Sequence, residues 1–322
     1  MLCSVFLYNE AILGMTRKKE YSRLNEIPLK DAAENDVPGV LVLEGGAFRG
    51  MYTAGVLDVL MEEGILLHTT VGISAGALCG MNYISGNIGR SAVMNLRYRH
   101  DSEYVGLKAY RKNKGIIGFD DMFFGKAARE VPFNESRAFT SKRDFLATVS
   151  SVTTGKKKYV SIHSVPKKEF YAYVQASASM PLLSKPIRIG EEEYLDGGCA
   201  DKIGIDYPLS QDLSPIVVVR TRDRSFRKKE NTKQENRFYR AAYKNHPEFL
   251  KDLENTAKDY NQTCDRIDVL EKEGKVFVFA PEKPVGISRL EGDLEKLGAL
   301  YFEAVDETRN RLDELKKFLS IE

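Results

Sequence analysis

Several things are scarce in this sequence, and each scarcity removes a class of function. Charge imbalance is the first: 48 basic residues stand against 46 acidic ones in a chain of 322. No global field therefore draws the chain to nucleic acid. Long apolar runs are the second, since no stretch reaches the roughly 18–20 apolar residues that a membrane-spanning helix needs. The opening Met1 to Tyr8 is apolar but lacks a basic lead-in and soon meets Asn9 and Glu10, which speaks against a secretory signal. Met15 is an alternative start residue. Cysteine is the third: Cys3, Cys79, Cys199 and Cys264 are scattered with no C-x-x-C spacing. They suggest neither a zinc site nor a disulfide framework, and fit a reducing, cytoplasmic compartment. No calcium-ligand loop, Walker loop, internal repeat or low-complexity tract is visible, so no metal or organic cofactor is expected.

What is present reads as alternating strands and helices. Residues 1–36 are polar and mixed, and read as a loosely ordered leader. Order is expected from Val37, with an apolar strand Val40–Leu43 running into Glu44-Gly45-Gly46-Ala47-Phe48-Arg49-Gly50. Ala54, Leu57, Leu60 and Met61 then recur at helical spacing from Met51 to Glu63, and Gly64 is placed to end that helix. A strand Ile65–Val71, interrupted at His68-Thr69-Thr70, leads to Gly72-Ile73-Ser74-Ala75-Gly76 and a small-residue helix to Tyr83. Strand, loop, helix, strand, turn and helix thus follow one another as in a parallel α/β sheet, with function at the strand carboxyl ends.

Farther on, the pattern is mixed. Residues 88–143 are irregular: Ala92–Tyr98 reads as a helix, while 116–124 supply apolar residues without a period. They are ordinary core, or a lid or the wall of an acyl pocket. Hairpins are expected at 145–162 and 187–195, with a helix Glu169–Ser179 between them, and the second delivers Asp196-Gly197-Gly198. Val217 lies in another strand. A soft boundary near 225 separates a 37–225 domain from a mainly helical 226–322 extension that returns one strand, Val276–Phe279, to the sheet. Its closing run carries Leu290, Leu294, Leu297 and Leu300 as a packing stripe. Between Arg220 and Lys229 six cations crowd ten positions. They form a solvated surface or, functionally, a peripheral contact with an anionic membrane, and Lys156-Lys157-Lys158 has the same two readings.

The chemistry-bearing pattern is G-x-S-x-G at a strand-to-helix junction, where a serine hydroxyl is lifted out of the sheet on a strained turn. Such a pentapeptide arises by chance in roughly one chain in ten of this length, so its neighbours decide. The glycine loop at 45–50 offers unshielded N–H groups before a helix, as the Ala75 N–H does, for a developing oxyanion. Asp196, followed by two glycines, is a candidate base for Ser74.

These motifs resemble the patatin-like phospholipase family, bacterial type. Gly45-Gly46-Ala47-Phe48-Arg49-Gly50 is similar to that family's G-G-G-x-R/K-G loop, Gly72-Ile73-Ser74-Ala75-Gly76 to its elbow, Asp196-Gly197-Gly198 to its D-G-G/A motif, and Ala176–Pro181 to its matching segment. The resemblance covers about residues 38–220. It implies a three-layer α/β/α fold with a mainly parallel sheet, and a serine acyl hydrolase acting on lipid esters. Ser74 would be the nucleophile and Asp196 the base, with Gly45, Gly46, Ala47, Arg49, Gly50 and Ala75 around the oxyanion hole and Gly72, Gly76, Gly197 and Gly198 completing the motifs. Ala47 departs from the pattern, standing where a third glycine is usual; at positive φ it would cost about 1 kcal/mol. Arg49 would brace the loop or face an anionic headgroup.

Other readings stand beside this one. His68, His100, His163 and His246 offer a histidine base, with His163 at a strand end; without one, the pH–rate profile has no limb near 6.5. Ala47 breaks a dinucleotide fingerprint, and the next strand ends without an acidic residue. A carboxylesterase or thioesterase on soluble esters, or a non-catalytic lipid- or protein-binding regulator, would use the same fold. Oligomeric state, acyl length and headgroup leave no sequence signal.

Overall fold

The computed structural model describes residues 20–321, and an eight-stranded sheet forms its middle layer. Its strands are β1 (Val37–Leu43), β2 (Leu67–Ile73), β3 (Asp144–Ser151), β4 (Lys157–Ser161), β5 (Ile187–Ile189), β6 (Glu192–Asp196), β7 (Ile216–Val219) and β8 (Val276–Phe279). The order is β8-β7-β1-β2-β3-β6-β5, with β4 also on β3. The first five are parallel; β4, β6 and β5 join antiparallel.

Strand periodicity explains the layers. Successive side chains of a strand point to opposite faces, so Leu41 and Leu43 join one core while Val40 and Val42 join another. The first core is filled by α1 (Gly50–Glu62), α2 (Ala75–Ile84), α3 (Arg90–Tyr98) and α8 (Leu294–Asn310). The second is filled by Tyr260, Cys264 and Ile267 of α7 (Thr256–Lys272), with α5 (Lys233–Tyr243) and α6 (Pro247–Glu254) beside it over Leu195 and Cys199. The fold is therefore α/β/α, with a mostly parallel sheet.

Several expectations need revision. His68-Thr69-Thr70 does not interrupt its strand: Thr70 is fully buried and the register with β1 and β3 runs through it. Packing begins upstream of Val37, because Tyr21, Ile27 and Ala32 are buried and Lys30–Asp31 pairs with Asn87–Ile88. Residues 1–19, with Met1, Met15 and Cys3, lie outside the described residues. Helix α1 is buried nearly all round rather than on one stripe. Its outer face is covered by α8, where Tyr301 donates its hydroxyl to Asp58 (2.9 Å). Leu294, Leu297 and Leu300 are buried, but Leu290 precedes the helix and is exposed. Gly64 ends α1 at φ 68°. The C-terminal segment thus closes both faces of the sheet.

Candidate active site

Ser74 sits between β2 and α2 with φ 56° and ψ −121°, a conformation that costs a non-glycine residue about 1–3 kcal/mol. The strain is held by close approach on both sides. Gly72 lies against Ala77, Gly45 against the Ser74 side chain, and Gly50 against Ala75. A side chain at Gly76 would run into the Leu43 carbonyl of β1. Ser74 is only 7 % exposed.

Strand register brings Asp196 to it. Strand β3 pairs with β4 over Leu146–Ser150 along one edge. The other edge therefore carries both β2, ending with Ile73 opposite Thr148, and β6, ending with Asp196 opposite Val149. Antiparallel β6 and parallel β2 meet nearly head-on along that edge. The residue that follows Ile73 faces the residue that ends β6, so Ser74 and Asp196 come together at the end of the sheet, and Ser74 acts to lower the pKa of the Asp196 carboxyl. Burial raises the Asp196 pKa above the ordinary value, against the opposing influence of Ser74 and of the hydrogen bond from the Gly198 N–H (2.8 Å). A buried aspartate raised in this way is a stronger base than a solvated one.

Serines that sequence reasoning did not single out hold these two groups in place. Ser177, at the end of α4 (Lys167–Ser177), is fully buried and accepts the Ser74 N–H (3.0 Å). Two residues later the Ser179 carbonyl accepts the Asp196 N–H (2.9 Å). Ser150 donates to the carbonyls of Asp196 and Gly197 and accepts the Ala200 N–H. The visible signal was the Ala176-Ser177-Ala178-Ser179 run, whose alternate serines fall on both motifs.

The glycine loop is braced from the neighbouring strand. Ala47 has φ 50°, so the departure from glycine carries the expected strain of about 1 kcal/mol. Gly46 is pressed against Thr221, where a Cβ would lie 2.9 Å from the threonine Cβ. Thr221 donates its hydroxyl to the Gly45 carbonyl (3.0 Å) and its N–H to Glu44 (2.6 Å), and Glu44 also accepts Tyr260 Oη–H (2.6 Å). Among the described residues the N–H groups of Gly46, Ala47 and Ala75 take no part in the loop and turn hydrogen bonds.

Ser74, Ala47 and Met180 line two different cavities. One is a slot of about 60 Å³ bounded by Leu78, Met94, Val105, Ile117 and Met122. The 88–143 segment thus supplies a wall of the slot. Buried Arg90 also lines it, but its guanidinium is occupied by Asn82 Oδ1 and the carbonyls of Met122 and Val131. The other cavity is a polar basin of about 520 Å³ that includes Asp196, Gly198, Arg49, Lys202, Lys228 and Arg289. Arg49 is lowered to about 10 by burial, with Arg222 adding to the effect, and is still charged at neutral pH.

No histidine lines either cavity. His163 Nε2 contacts the Arg143 carbonyl, His68 pairs with Asp36, and His246 immediately precedes α6. The 220–229 cluster is not the solvated surface expected. Arg220 is fully buried beside Asp268, and Arg224 and Arg227 pair with Glu271, Asp265 and Asp268. At the hairpin tip, Lys157 pairs with Asp206, Lys158 donates to the Tyr173 and Tyr194 hydroxyls, and Lys156 is exposed. Cys79 and Cys199 are buried as packing residues. Among the described residues no helix is long and apolar enough to cross a membrane.

Comparison with known proteins adds to this geometry. Residues 41–209, just over half of the 322, match the model described as patatin-like phospholipase, and 246–320 match a domain of unknown function (DUF6363). The chain is 27% identical over 184 residues to "Probable lipid hydrolase 463L" of Invertebrate iridescent virus 6, covering 52% of this chain and 62% of that protein. It is also 27% identical over 187 residues to "Uncharacterized protein YjjU" of Escherichia coli (strain K12), covering 56% and 51%. The matches thus span between half and two thirds of these relatives' lengths. Among solved structures, VipD from Legionella pneumophila aligns with TM-score 0.44 and 15% identity over 94% of this chain and 72% of that one.

Proposed function

Since the chain belongs to the patatin-like phospholipase family, we propose that it is a serine acyl hydrolase of lipid esters, with Ser74 as nucleophile and Asp196 as base. The observation that carries this reading is the strand register that sets a strained, buried serine beside a buried aspartate whose pKa is raised. Ser74 Oγ attacks the ester carbonyl as its proton passes to Asp196. Negative charge develops on the carbonyl oxygen, where the N–H groups of Gly46, Ala47 and Ala75 would meet it, each donor worth on the order of 10²–10³ in rate. Collapse expels the alcohol, which takes the proton from Asp196. Water then attacks the acyl-serine, gives its proton to Asp196, and releases the fatty acid as Ser74 regains its hydrogen. The slot receives the acyl chain and the basin the departing alcohol half. The serine's position at the junction of the two cavities supports that assignment.

Fluorophosphonate labelling read by intact mass tests the nucleophile. A single adduct is expected on the wild type, none on Ser74→Ala, and slow labelling of Asp196→Asn. A folded wild type that takes no adduct, alone or with anionic vesicles, removes the hydrolase reading and leaves a lipid-binding regulator. Preference for short soluble esters over lipid aggregates would make it a carboxylesterase instead.

A further inference from the structure

The cations around the basin differ in one respect from their sequence neighbours. Arg220, Arg224 and Arg227 each have a carboxylate partner. Among the described residues Arg49, Lys202, Arg222, Lys228, Lys229 and Arg289 have none, although all six line the same cavity. The Lys228 ammonium lies 4.2 Å from the centre of the Tyr260 ring. Lys202 is buried and turned to the Cys199 and Asp252 carbonyls. Arg49 donates to the Ile287 carbonyl (3.4 Å), while its buried Nε finds no acceptor.

The acids that share the cavity do not neutralise this set. Glu44 is taken by the Thr221 N–H and the Tyr260 hydroxyl. Glu235 is taken by the N–H and hydroxyl of Thr232, and Glu230 is exposed at the rim. Asp196 faces Ser74. Like charges gathered in a partly closed site repel one another and lose hydration, so the arrangement costs free energy unless an anion enters. Burial, reinforced by Lys202, Arg289 and Arg49 against the pull of Glu44, holds Lys228 down to about 8. That is the response of a cation waiting for a counter-charge.

We propose that this basin is a phosphate site, in which Lys228 and Arg289 hold the phosphate group on the alcohol half of the ester cleaved at Ser74. Both residues lie outside the matched 41–209 region, so the C-terminal segment sets headgroup preference. The proposal rests on the hydrolase reading for its orientation, and on the basin alone for its anion. A phosphate-bearing lipid would be favoured over a neutral glyceride, because only the former compensates the unpaired cations.

Two arms test it on the full chain. In detergent micelles, the kcat/KM ratio of phosphatidylglycerol to diacylglycerol is measured for wild type, Lys228→Met and Arg289→Met. In the second arm, glycerol 3-phosphate and inorganic phosphate are titrated calorimetrically into Ser74→Ala and into its double variants with the same changes. The ratio should fall roughly tenfold in each variant, and glycerol 3-phosphate binding should weaken to a similar degree, as expected for loss of a charge-assisted contact. Lys156→Met, an exposed hairpin-tip change, should leave both readouts unaltered. Turnover of both lipids with an unchanged ratio in both variants overturns the phosphate site and leaves the hydrolase. No turnover, with glycerol 3-phosphate binding lost in the Lys228→Met double variant, retains the site and sinks the hydrolase. Equal binding of inorganic phosphate with no lipid preference in the wild type overturns the headgroup assignment in favour of a free-phosphate site. Arg289 is exposed, so its variant serves if Lys228→Met does not fold.

Discussion

On one side of Ser74 the wall is a narrow slot lined mainly by apolar side chains; on the other it is a basin roughly nine times larger in which six cations lack carboxylates among the described residues. The slot is built by α2, α3 and the 88–143 segment, whereas the basin draws Lys228, Tyr260 and Arg289 from beyond residue 220. The difference teaches how one serine serves a two-ended substrate. Apolar recognition is non-directional and scales with the area buried, so a slot grades chains by length. Charge recognition is steep and selective, and a basin of this kind sorts headgroups by charge. Removing the base should lower turnover of both substrate classes alike and leave the distinction between them untouched. For Asp196→Asn the hydrolysis rate is expected to fall by about 10⁴ on both neutral and anionic lipids, as loss of a general base does. A much larger loss on one lipid class than on the other would show that Asp196 also positions that headgroup.

The slot is the next place to break the comparison. Val105 lines it, and its backbone bridges Ile117. Val105→Phe should lower kcat/KM about tenfold on a sixteen-carbon acyl ester and much less on a butyryl ester, since each displaced methylene is worth of order 1 kcal/mol. Equal losses on both esters would place the acyl chain elsewhere.

The pH dependence sharpens the contrast in a graded way. On a neutral ester, kcat/KM should rise with pH through a single carboxylate limb placed above the ordinary aspartate value, because Asp196 must be unprotonated and burial raises its pKa. No limb near 6.5 is expected, as no histidine reaches either cavity. On an anionic ester, a second limb should fall near pH 8. Lys228 is protonated below that value and attracts the phosphate; above it the charge is lost, and Glu44, Tyr260, Lys202, Arg49 and Arg289 remain around a neutral amine. Lys228→Met should remove the falling limb. Its persistence in the variant would assign the titration to another group.

Much of this arrangement was legible in the sequence, and the reasons are local. Runs such as Ile216–Val219 and Val276–Phe279 are too short and too apolar for anything but buried strands. The elbow, the glycine loop and the D-G-G turn each announce a backbone that needs glycine. What stayed hidden depends on contacts distant in sequence. The basic cluster read as solvated because its partners, Asp265, Asp268 and Glu271, lie some forty residues later on α7. Ser177 looked like one small residue among several until α4 was set against the elbow. Glu44 carried no motif of its own, and its role depends on Thr221 and Tyr260. The leader from residue 20 read as loose because its few apolar residues lack a period, yet Tyr21 and Ile27 find a surface on the C-terminal helix and on α3.

The smallest expected effect concerns the residue on the partition itself. Ala47 lines both cavities and holds φ 50°, so Ala47→Gly removes about 1 kcal/mol of backbone strain while adding unfolded-state entropy of comparable size. The net change in stability should stay within about 1 kcal/mol, or roughly 2–4 °C in the thermal midpoint. Activity is the more telling readout. If the loop's N–H groups already stand where the oxyanion forms, relieving the strain leaves the rate on a short ester within about twofold. If the strain itself aims the Ala47 N–H, the glycine loosens it and the rate falls by an amount approaching the 10²–10³ of a lost donor. The methyl group also forms part of the divide between slot and basin. Its removal should weaken discrimination between the two ends slightly, and a larger loss of headgroup preference than of chain-length preference would place the methyl on the basin side.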